Sequence, residues 1–134
     1  MDVATARGLP PVNSQVTFLY YDDLASPERF YGEMLGLEKT FDKGWVKFFR
    51  ATEHSYIGLV EQAKGHHNTS EAKSVMVSLE SPELEAWYER MKAKGVDFVV
   101  HLDTDMSAGR LVSTFLMRDP GGYSVEFFRF NRLD

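Results

Sequence analysis

A glutamate near the C-terminal end of the chain is the residue whose type and setting most clearly suggest chemistry. Glu126 lies in residues 123–130, a run of aromatic and β-branched residues that predicts a strand. Because side chains alternate along a strand, Ser124, Glu126 and Phe128 share one face. A carboxylate beside apolar side chains is costly unless it is paired, metal-bound or in contact with a ligand, so Glu126 is a candidate general base or binding group. The alternative interpretation is a rim carboxylate whose charge stays in water.

A turn fixes where this strand begins. Asp119-Pro120-Gly121-Gly122 precedes it directly, and proline fixes φ while glycine accepts positive φ without steric cost. The turn and the strand together form one continuous signal, residues 119–130. We therefore expect Glu126 to be held at a defined position in a sheet.

The rest of the chain divides into two similar halves. In the first half we predict a strand over residues 15–21, a helix that starts at Ser26-Pro27-Glu28 and ends at Gly36, and strands over residues 38–41, 45–50 and 55–61. The second half repeats this order: a strand over residues 74–80, a helix from Ser81-Pro82-Glu83 to Gly95, and strands over residues 96–101, 111–118 and 123–130. A polar loop over residues 102–110 contains Gly109.

The repeat sets the domain organisation. The two helix-ending glycines, Gly36 and Gly95, lie 59 positions apart (95 − 36), as do the two first-strand starts (74 − 15). The sequence thus predicts one domain, residues 14–134, of two βαβββ modules, residues 14–62 and 73–131. A polar linker, residues 63–72, joins them, and residues 1–13 form an N-terminal lead-in.

Composition excludes several classes of protein. The net charge of −5 provides no basic patch for nucleic acid, and no apolar run is long enough to span a membrane. The chain has no cysteine, which excludes disulfides and thiolate chemistry. The N-terminal residues have no apolar core typical of a secretory signal, so the cytoplasm is the expected compartment.

The order of elements and two sequence phrases resemble one known family. Paired βαβββ modules, Phe30-Tyr31 followed by Leu35-Gly36-Leu37, and the phrase from Asp119 to Glu126 are together similar to the vicinal oxygen chelate superfamily, which includes glyoxalase I, bleomycin-resistance proteins and extradiol dioxygenases. The resemblance implies an α+β fold of two tandem βαβββ modules whose strands curl into an open cup, with the helices outside. It also implies a homodimer, with the cup closed either within one chain or between two.

The resemblance assigns four positions to metal ligands in the metal-dependent members. They correspond to Gln15, Gly58, Ser74 and Glu126, of which only the glutamine and the glutamate have suitable side chains. A catalytic divalent ion needs about three protein ligands, so we expect no metal or other cofactor. If a metal does bind, Gln15 and Glu126 are its expected ligands, and Zn, Ni, Mn or Fe are the alternatives. His54, His66, His67 and His101 lie in predicted turns or at strand ends.

If Gln15, Gly58, Ser74 and Glu126 face inward, the opposite faces of their strands, which include Val16, Phe18 and Val75, are expected in the core, and Gly58 leaves open volume at its position.

These positions suggest what the cup binds. The predicted substrate-binding residues are Gln15, Thr17, Trp45, Lys47, Gly58, Ser74, Met76 and Phe128, with Glu126 as the candidate catalytic base. They predict a metal-free protein of the bleomycin-resistance type that binds a small organic, aromatic or drug-like molecule. One alternative is a glyoxalase-type metal-dependent lyase, isomerase or dioxygenase with a reduced ligand set. Another is an interaction module whose cup no longer binds a ligand.

Overall fold

The segments of high β-propensity form strands, and two segments with an apolar stripe form short helices. We describe a computed structural model over residues 7–103 and 109–131. The elements in chain order are β1 (Gln15–Tyr21), α1 (Ala25–Arg29) continuing into a π-helical segment (Phe30–Met34), β2 (Lys39–Asp42), β3 (Val46–Thr52), β4 (Ser55–Glu61), β5 (Met76–Glu80), α2 (Leu84–Ala93), β6 (Phe98–Val100), β7 (Val112–Arg118) and β8 (Ser124–Phe130). Neither helix in these residues is long and apolar enough to cross a membrane.

The strands form two open mixed sheets with the same strand order. Sheet 1 has the order β1-β4-β3-β2 and sheet 2 the order β5-β8-β7-β6. In each sheet the first strand pairs in parallel with the last, and the other pairs are antiparallel. This arrangement confirms the predicted α+β fold with two tandem βαβββ modules. Among the described residues the eight strands stay in two sheets and do not join into one.

The helix starts differ from the prediction. Ser26 was expected to cap α1, but α1 begins at Ala25, whose backbone N–H donates to Asp23 Oδ1 at 2.7 Å. In the second module Ser81 Oγ accepts from the Glu83 N–H at 3.1 Å, and α2 begins only at Leu84. Both helices therefore start next to the Ser-Pro-Glu motifs rather than on the serine. Both end where predicted, before Gly36 (φ 84°) and Gly95 (φ 75°).

The helices of both modules and one side of each sheet form a single core. We call the side of each sheet that packs on this core its helix side, and the opposite side its open face. Sheet 1 contributes Leu19, Phe49 and Leu59, and sheet 2 contributes Phe115 and Phe127. The two helical segments also meet, because Arg90 Nε of α2 donates to the Met34 carbonyl at 3.1 Å.

A buried carboxylate links the two modules next to the turn that precedes β8. Asp119 Oδ1 accepts the N–H groups of Gly121 and Tyr123 at 2.9 and 2.8 Å. Its Oδ2 accepts the Tyr31 hydroxyl at 2.9 Å and also the Tyr21 hydroxyl. The aspartate thus fixes the turn and joins it to β1 and the π-helical segment of the first module.

Candidate functional site

Glu126 lies in the middle of the open face of sheet 2, where two hydroxyl groups donate to its carboxylate. Ser78 Oγ of β5 donates to Oε1 at 2.6 Å, and Thr114 Oγ1 of β7 lies 3.0 Å from Oε2. Thr114 Oγ1 is also 3.0 Å from the Phe127 carbonyl, and its one proton serves one acceptor at a time. The carboxylate is half-buried, so it keeps acceptor capacity toward the solvent side.

Apolar side chains surround this carboxylate on the same face. The register places Ser78 and Leu116 opposite Glu126, and Phe128 follows two residues later in β8. Met76 is 50% exposed, and Phe130, whose ring centroid is 5.4 Å from that of Phe128, is 58% exposed. Of the residues proposed from sequence, the structure therefore brings Met76, Glu126 and Phe128 together. The predicted alternation of β8 is confirmed, because Val125 and Phe127 are buried on the helix side.

The open face of sheet 1 is a continuous aromatic surface. Phe48 is central: its ring centroid lies 5.7 Å from that of Phe18, 5.0 Å from that of Phe41 and 6.3 Å from that of Tyr56. Phe18 and Phe41 are 43% and 40% exposed. Such a surface favours flat apolar ligands, which stack on or pack edge-on against the rings.

Two cationic side chains of the described residues border this aromatic surface. Lys43 Nζ lies 5.9 Å from the Phe41 ring centroid. The guanidinium of Arg50 lies 5.1 Å from the Tyr56 ring centroid, and Nη1 donates to the Tyr56 hydroxyl at 3.0 Å. A hydrogen bond to Glu38 raises the pKa of Arg50 above its usual value. Glu38 forms an ion pair with Arg50 at 3.1 Å and compensates this charge, whereas the hydroxyls that donate to Glu126 are neutral.

Gln15 and Thr17 lie on the helix side of sheet 1, whereas position 58 belongs to its open face. Gln15 pairs with Ser55 and Thr17 with Ile57, whose face packs on the core, whereas Gly58 pairs with Phe18. The expectation that Gln15, Thr17 and Gly58 share an inward face is therefore wrong. The prediction of open volume at Gly58 is also wrong, because a Cβ added at this position would lie 2.6 Å from the Phe18 ring.

Lys47 and Trp45 do not join the aromatic surface. Lys47 pairs with Leu59 on the helix side, where its Nζ donates to Glu28 Oε1 at 3.1 Å and to Asp42 Oδ2 at 3.3 Å. Trp45 immediately precedes β3 and is 37% exposed. The expectation that the face of Lys47 joins the cup is wrong, since its charge serves an ion-pair network between α1, β2 and β3.

The charges in this network perturb one another. Lys39 Nζ donates to Glu28 Oε2 at 2.7 Å and to Asp42 Oδ2 at 2.8 Å. These hydrogen bonds from Lys39 are the main reason that the pKa values of Glu28 and Asp42 lie below their usual values. The network holds α1 against sheet 1 and is separate from the open faces.

The donors around Glu126 do not match a divalent metal site. Ser74 is exposed and lies two residues before β5, and Gln15 is on the other side of the other sheet. In residues 7–103 and 109–131, no three His, Asp or Glu side chains are placed to hold one ion. Glu126 and the two hydroxyls would provide one charged ligand and two weak neutral ligands. A catalytic divalent ion needs about three strong protein ligands, so this set does not suffice.

A cleft also lies at the junction of the modules, where Tyr20 at the end of β1 is among its lining residues. Its volume is about 610 Å³, and it lies between the end of β1, the start of α1, the linker and Pro120-Gly121. Several of its polar groups are already engaged: Asp22 accepts from Gln62, and Asp23 accepts from Ala25. We assign the candidate site to the open faces because the partly exposed carboxylate and aromatic surface lie there.

Sequence reasoning missed Thr114 and the aromatic surface. Thr114 is two residues before Leu116 in β7, so the alternation of that strand contained the signal. Phe18 was expected in the core with Val16 and Val75, but Phe18 and Val75 are 43% and 45% exposed. Nothing in the local sequence of β1 distinguishes its two faces clearly, because both carry apolar residues.

Comparison with known proteins agrees with this architecture. The model of the Glyoxalase/Bleomycin resistance protein/Dioxygenase superfamily matches residues 13–127. The structure of lactoylglutathione lyase from Agrobacterium tumefaciens superposes with a TM-score of 0.70 at 23% identity, covering 90% of this chain and 95% of that one. The structure of TioX from Micromonospora sp. ML1 gives 0.72 at 16% identity, covering 88% and 98%. A search of curated proteins gives no match.

Two βαβββ modules with open mixed sheets define a glyoxalase-type protein. The chain belongs to the Glyoxalase/Bleomycin resistance protein/Dioxygenase superfamily, since the family model covers most of its length. The two structural similarities, at 23% and 16% identity, describe the fold alone.

Proposed function

We propose that this protein binds a small organic molecule with a flat apolar portion and a cationic or hydrogen-bond-donating group, and that it does so without a protein-held metal. The single observation that carries the proposal is the environment of Glu126. Its carboxylate accepts from Ser78 and Thr114 and remains half-exposed on a face that also carries Met76 and Phe128. A carboxylate fixed by two hydroxyls beside apolar side chains is suited to accept a charge-assisted hydrogen bond from a ligand.

The aromatic surface of sheet 1 offers a second place for the apolar part of a ligand, on a different sheet from Glu126. Phe18, Phe41, Phe48 and Tyr56 offer ring faces and edges, and two of them are well exposed. A planar molecule that covers these rings gains apolar burial as well as favourable ring contacts.

A fluorescence titration with two aromatic dyes of opposite charge tests the proposal. We expect proflavine, an aromatic cation, to bind saturably and more tightly than the anion 8-anilinonaphthalene-1-sulfonate. Glu126→Gln keeps the shape but removes the charge, and should weaken proflavine binding about 10-fold, because a charged hydrogen bond contributes about 1.5 kcal/mol. Glu89→Gln removes an equal charge from an exposed position on α2 and should leave proflavine binding unchanged.

Two results would contradict the proposal. Equal weakening by Glu89→Gln and Glu126→Gln would mean that proflavine responds to net charge rather than to this site. Near-stoichiometric Zn, Ni, Mn or Fe in protein purified without chelator, measured by mass spectrometry and lost from Glu126→Gln, would replace the metal-free proposal with a metal site.

A further inference from the structure

We infer that Glu80 is a second anionic position on the open face of sheet 2, and that the preferred ligand carries two cationic groups, one for Glu126 and one for Glu80. This inference rests on the proposed function, because it adds a specificity-determining residue and a second charge to the same ligand. It follows from where the sheet register places Glu80 and from the absence of a partner for its carboxylate among the described residues.

Glu80 lies on the same face of sheet 2 as Glu126. In the parallel pair of β5 and β8, Ser78 is opposite Glu126 and Glu80 is opposite Phe128. The pairing continues to the end of β5, since the Ser81 N–H donates to the Phe128 carbonyl at 2.9 Å. The Ser78 hydroxyl is on the open face, where it donates to Glu126, and side chains alternate along a strand. The side chain of Glu80, two residues later, is therefore on the open face as well.

Phe128 is a neighbour of both carboxylates. It follows Glu126 by two residues in β8 and lies opposite Glu80 in β5. A residue advances about 3.3 Å along a strand and neighbouring strands lie about 4.8 Å apart, so the Cα atoms of Glu80 and Glu126 are about 8 Å apart. A ligand that packs its flat portion on the half-buried Phe128 ring thus has one carboxylate within reach on each of two sides.

The negative charges of both glutamates are left uncompensated by the part of the chain that the structure describes. Glu80 is exposed and has no hydrogen-bonding or ionic partner there. Glu126 accepts from the neutral hydroxyls of Ser78 and Thr114. A ligand with one cationic group neutralises one of these charges, whereas a ligand with two neutralises both.

The arginines of the neighbouring strands do not compensate these charges. Arg118 is opposite Ser124, at the other end of the face from Glu80, and its Nη1 lies 3.4 Å from the Gly122 carbonyl oxygen. Arg129 is on the helix side, where its Nη1 donates to Glu85 Oε2 at 2.7 Å. Both guanidinium groups are therefore engaged away from the pair of glutamates.

Glu80 also belongs to an edge strand, which gives its charge a second possible role. β5 is at the edge of sheet 2, and a charged side chain on an edge strand hinders pairing with other chains. Protection of the edge requires only a charge at position 80 and predicts no effect of that charge on ligand selectivity. The two roles therefore differ in one measurable quantity, the preference for a ligand with a second cation.

Two acridine dyes that differ in one terminal group test the inference. 9-(3-Aminopropylamino)acridine has two cationic groups, and in 9-(butylamino)acridine a methyl group replaces the terminal ammonium. Fluorescence titration gives the ratio of their dissociation constants, which measures the preference for the second cation. Wild type should prefer the dication, and Glu80→Gln should reduce this preference about 5-fold, as expected for the loss of one exposed ion pair. The affinity for the monocation should change little.

Three controls separate a charge at this position from other effects. Glu89→Gln removes an exposed charge from α2 and should leave the preference unchanged. Glu80→Asp keeps the charge and should retain most of the preference. At about 0.5 M NaCl the preference of wild type should approach that of Glu80→Gln, because salt screens exposed charges.

An unchanged preference in Glu80→Gln, or an equal loss in Glu89→Gln, would overturn the inference. If the monocation binds and Glu126→Gln weakens it, but wild type does not prefer the dication, the proposed function stands and Glu80 only protects the edge of β5. If neither dye binds saturably, or if Glu126→Gln leaves monocation binding unchanged, the proposed function itself fails and the inference fails with it.

Discussion

Two carboxylates lie seven positions apart in sequence, Asp119 and Glu126, and they differ in how their acceptor sites are used. Asp119 is 5% exposed, and its two oxygens accept four hydrogen bonds from two backbone N–H groups and two tyrosine hydroxyls. A carboxylate has about four such sites, so Asp119 has none left and serves structure. Glu126 accepts from two hydroxyls and is half-exposed, which leaves it capacity for a ligand.

The tyrosines that donate to Asp119 should make the protein sensitive to alkaline pH. Burial is the main cause that raises the pKa of both Tyr21 and Tyr31, and the nearby Asp119 carboxylate raises both further. As the pH rises through about 10, tyrosines in the unfolded chain ionise while these two stay protonated in the folded protein. Their stabilising contribution is complete below that pH and is lost above it.

The measurement is urea unfolding of wild type and of Tyr21→Phe/Tyr31→Phe at neutral pH and at pH values above the unfolded tyrosine pKa. We expect the double variant to be less stable at neutral pH, because Asp119 loses two donors. Its free energy of unfolding should also fall less steeply with rising pH than that of wild type. Parallel declines for the two proteins would show that other groups cause the alkaline loss.

At the scale of single residues, the sequence identified Glu126 but not its partners. The Asp119-Pro120-Gly121-Gly122 turn and the strand after it are local signals, and the alternation they predicted for β8 is present. The hydroxyls of Ser78 and Thr114 come from neighbouring strands, so finding them depends on sheet register. Gly58 shows the same limit, since the ring that covers it belongs to Phe18, 40 positions earlier (58 − 18).

At the scale of elements, strand positions were predictable and the orientation of β1 was not. Its bounds, Gln15–Tyr21, agree with the prediction, but its helix side carries Leu19 and Tyr21 rather than Val16 and Phe18. Tyr21 is buried because its hydroxyl donates to Asp119, 98 positions away. The local sequence pattern leaves the two faces of β1 nearly equivalent. The hydrogen bond from Tyr21 to the distant Asp119 therefore helps to determine which face of β1 is buried.

Neighbouring substitutions in β1 test this orientation. Leu19 is 0% exposed and Phe18 is 43% exposed. Leu19→Ala should lower the free energy of unfolding by about 3 kcal/mol, as expected for a cavity in a packed core. Phe18→Ala should lower it by about 1 kcal/mol or less, because that ring is already partly in water. Urea unfolding at one protein concentration measures both, and a larger loss for Phe18→Ala would reverse the assignment of faces.

The start of α1 shows that two neighbouring helix-start signals in the sequence leave the first residue of a helix undetermined. Ser26-Pro27-Glu28 is a reasonable start signal, yet Asp23 lies three positions earlier and its carboxylate accepts the Ala25 N–H. Leu24 is the N-cap residue and has no side-chain cap, so Asp23 before it supplies the acceptor for this N–H group. The chain therefore begins α1 at the earlier of two available signals, and the serine of the predicted start lies inside the helix.

At the scale of the whole molecule, two repeated modules form a single core. The buried cluster includes residues of both sheets and of both helical segments, and Asp119 adds hydrogen bonds between the modules. Repetition in sequence predicted the modules but not that their helix sides would pack together. A module separated from the other would expose this apolar surface, so we expect neither to remain folded when the other unfolds.

The two tryptophans provide a test of this cooperativity, because each module contains one. Trp45 precedes β3, and Trp87 of α2 stacks on Phe127 with ring centroids 4.6 Å apart. In Trp87→Phe the fluorescence reports only the first module, and in Trp45→Phe only the second. For each variant, urea unfolding followed by fluorescence and by far-ultraviolet circular dichroism should give one common midpoint. The midpoints of the two variants need not agree with each other, since Trp87→Phe also removes a stacked pair. A fluorescence midpoint that differs from the circular dichroism midpoint of the same variant would show that the modules unfold separately and that the shared core contributes little.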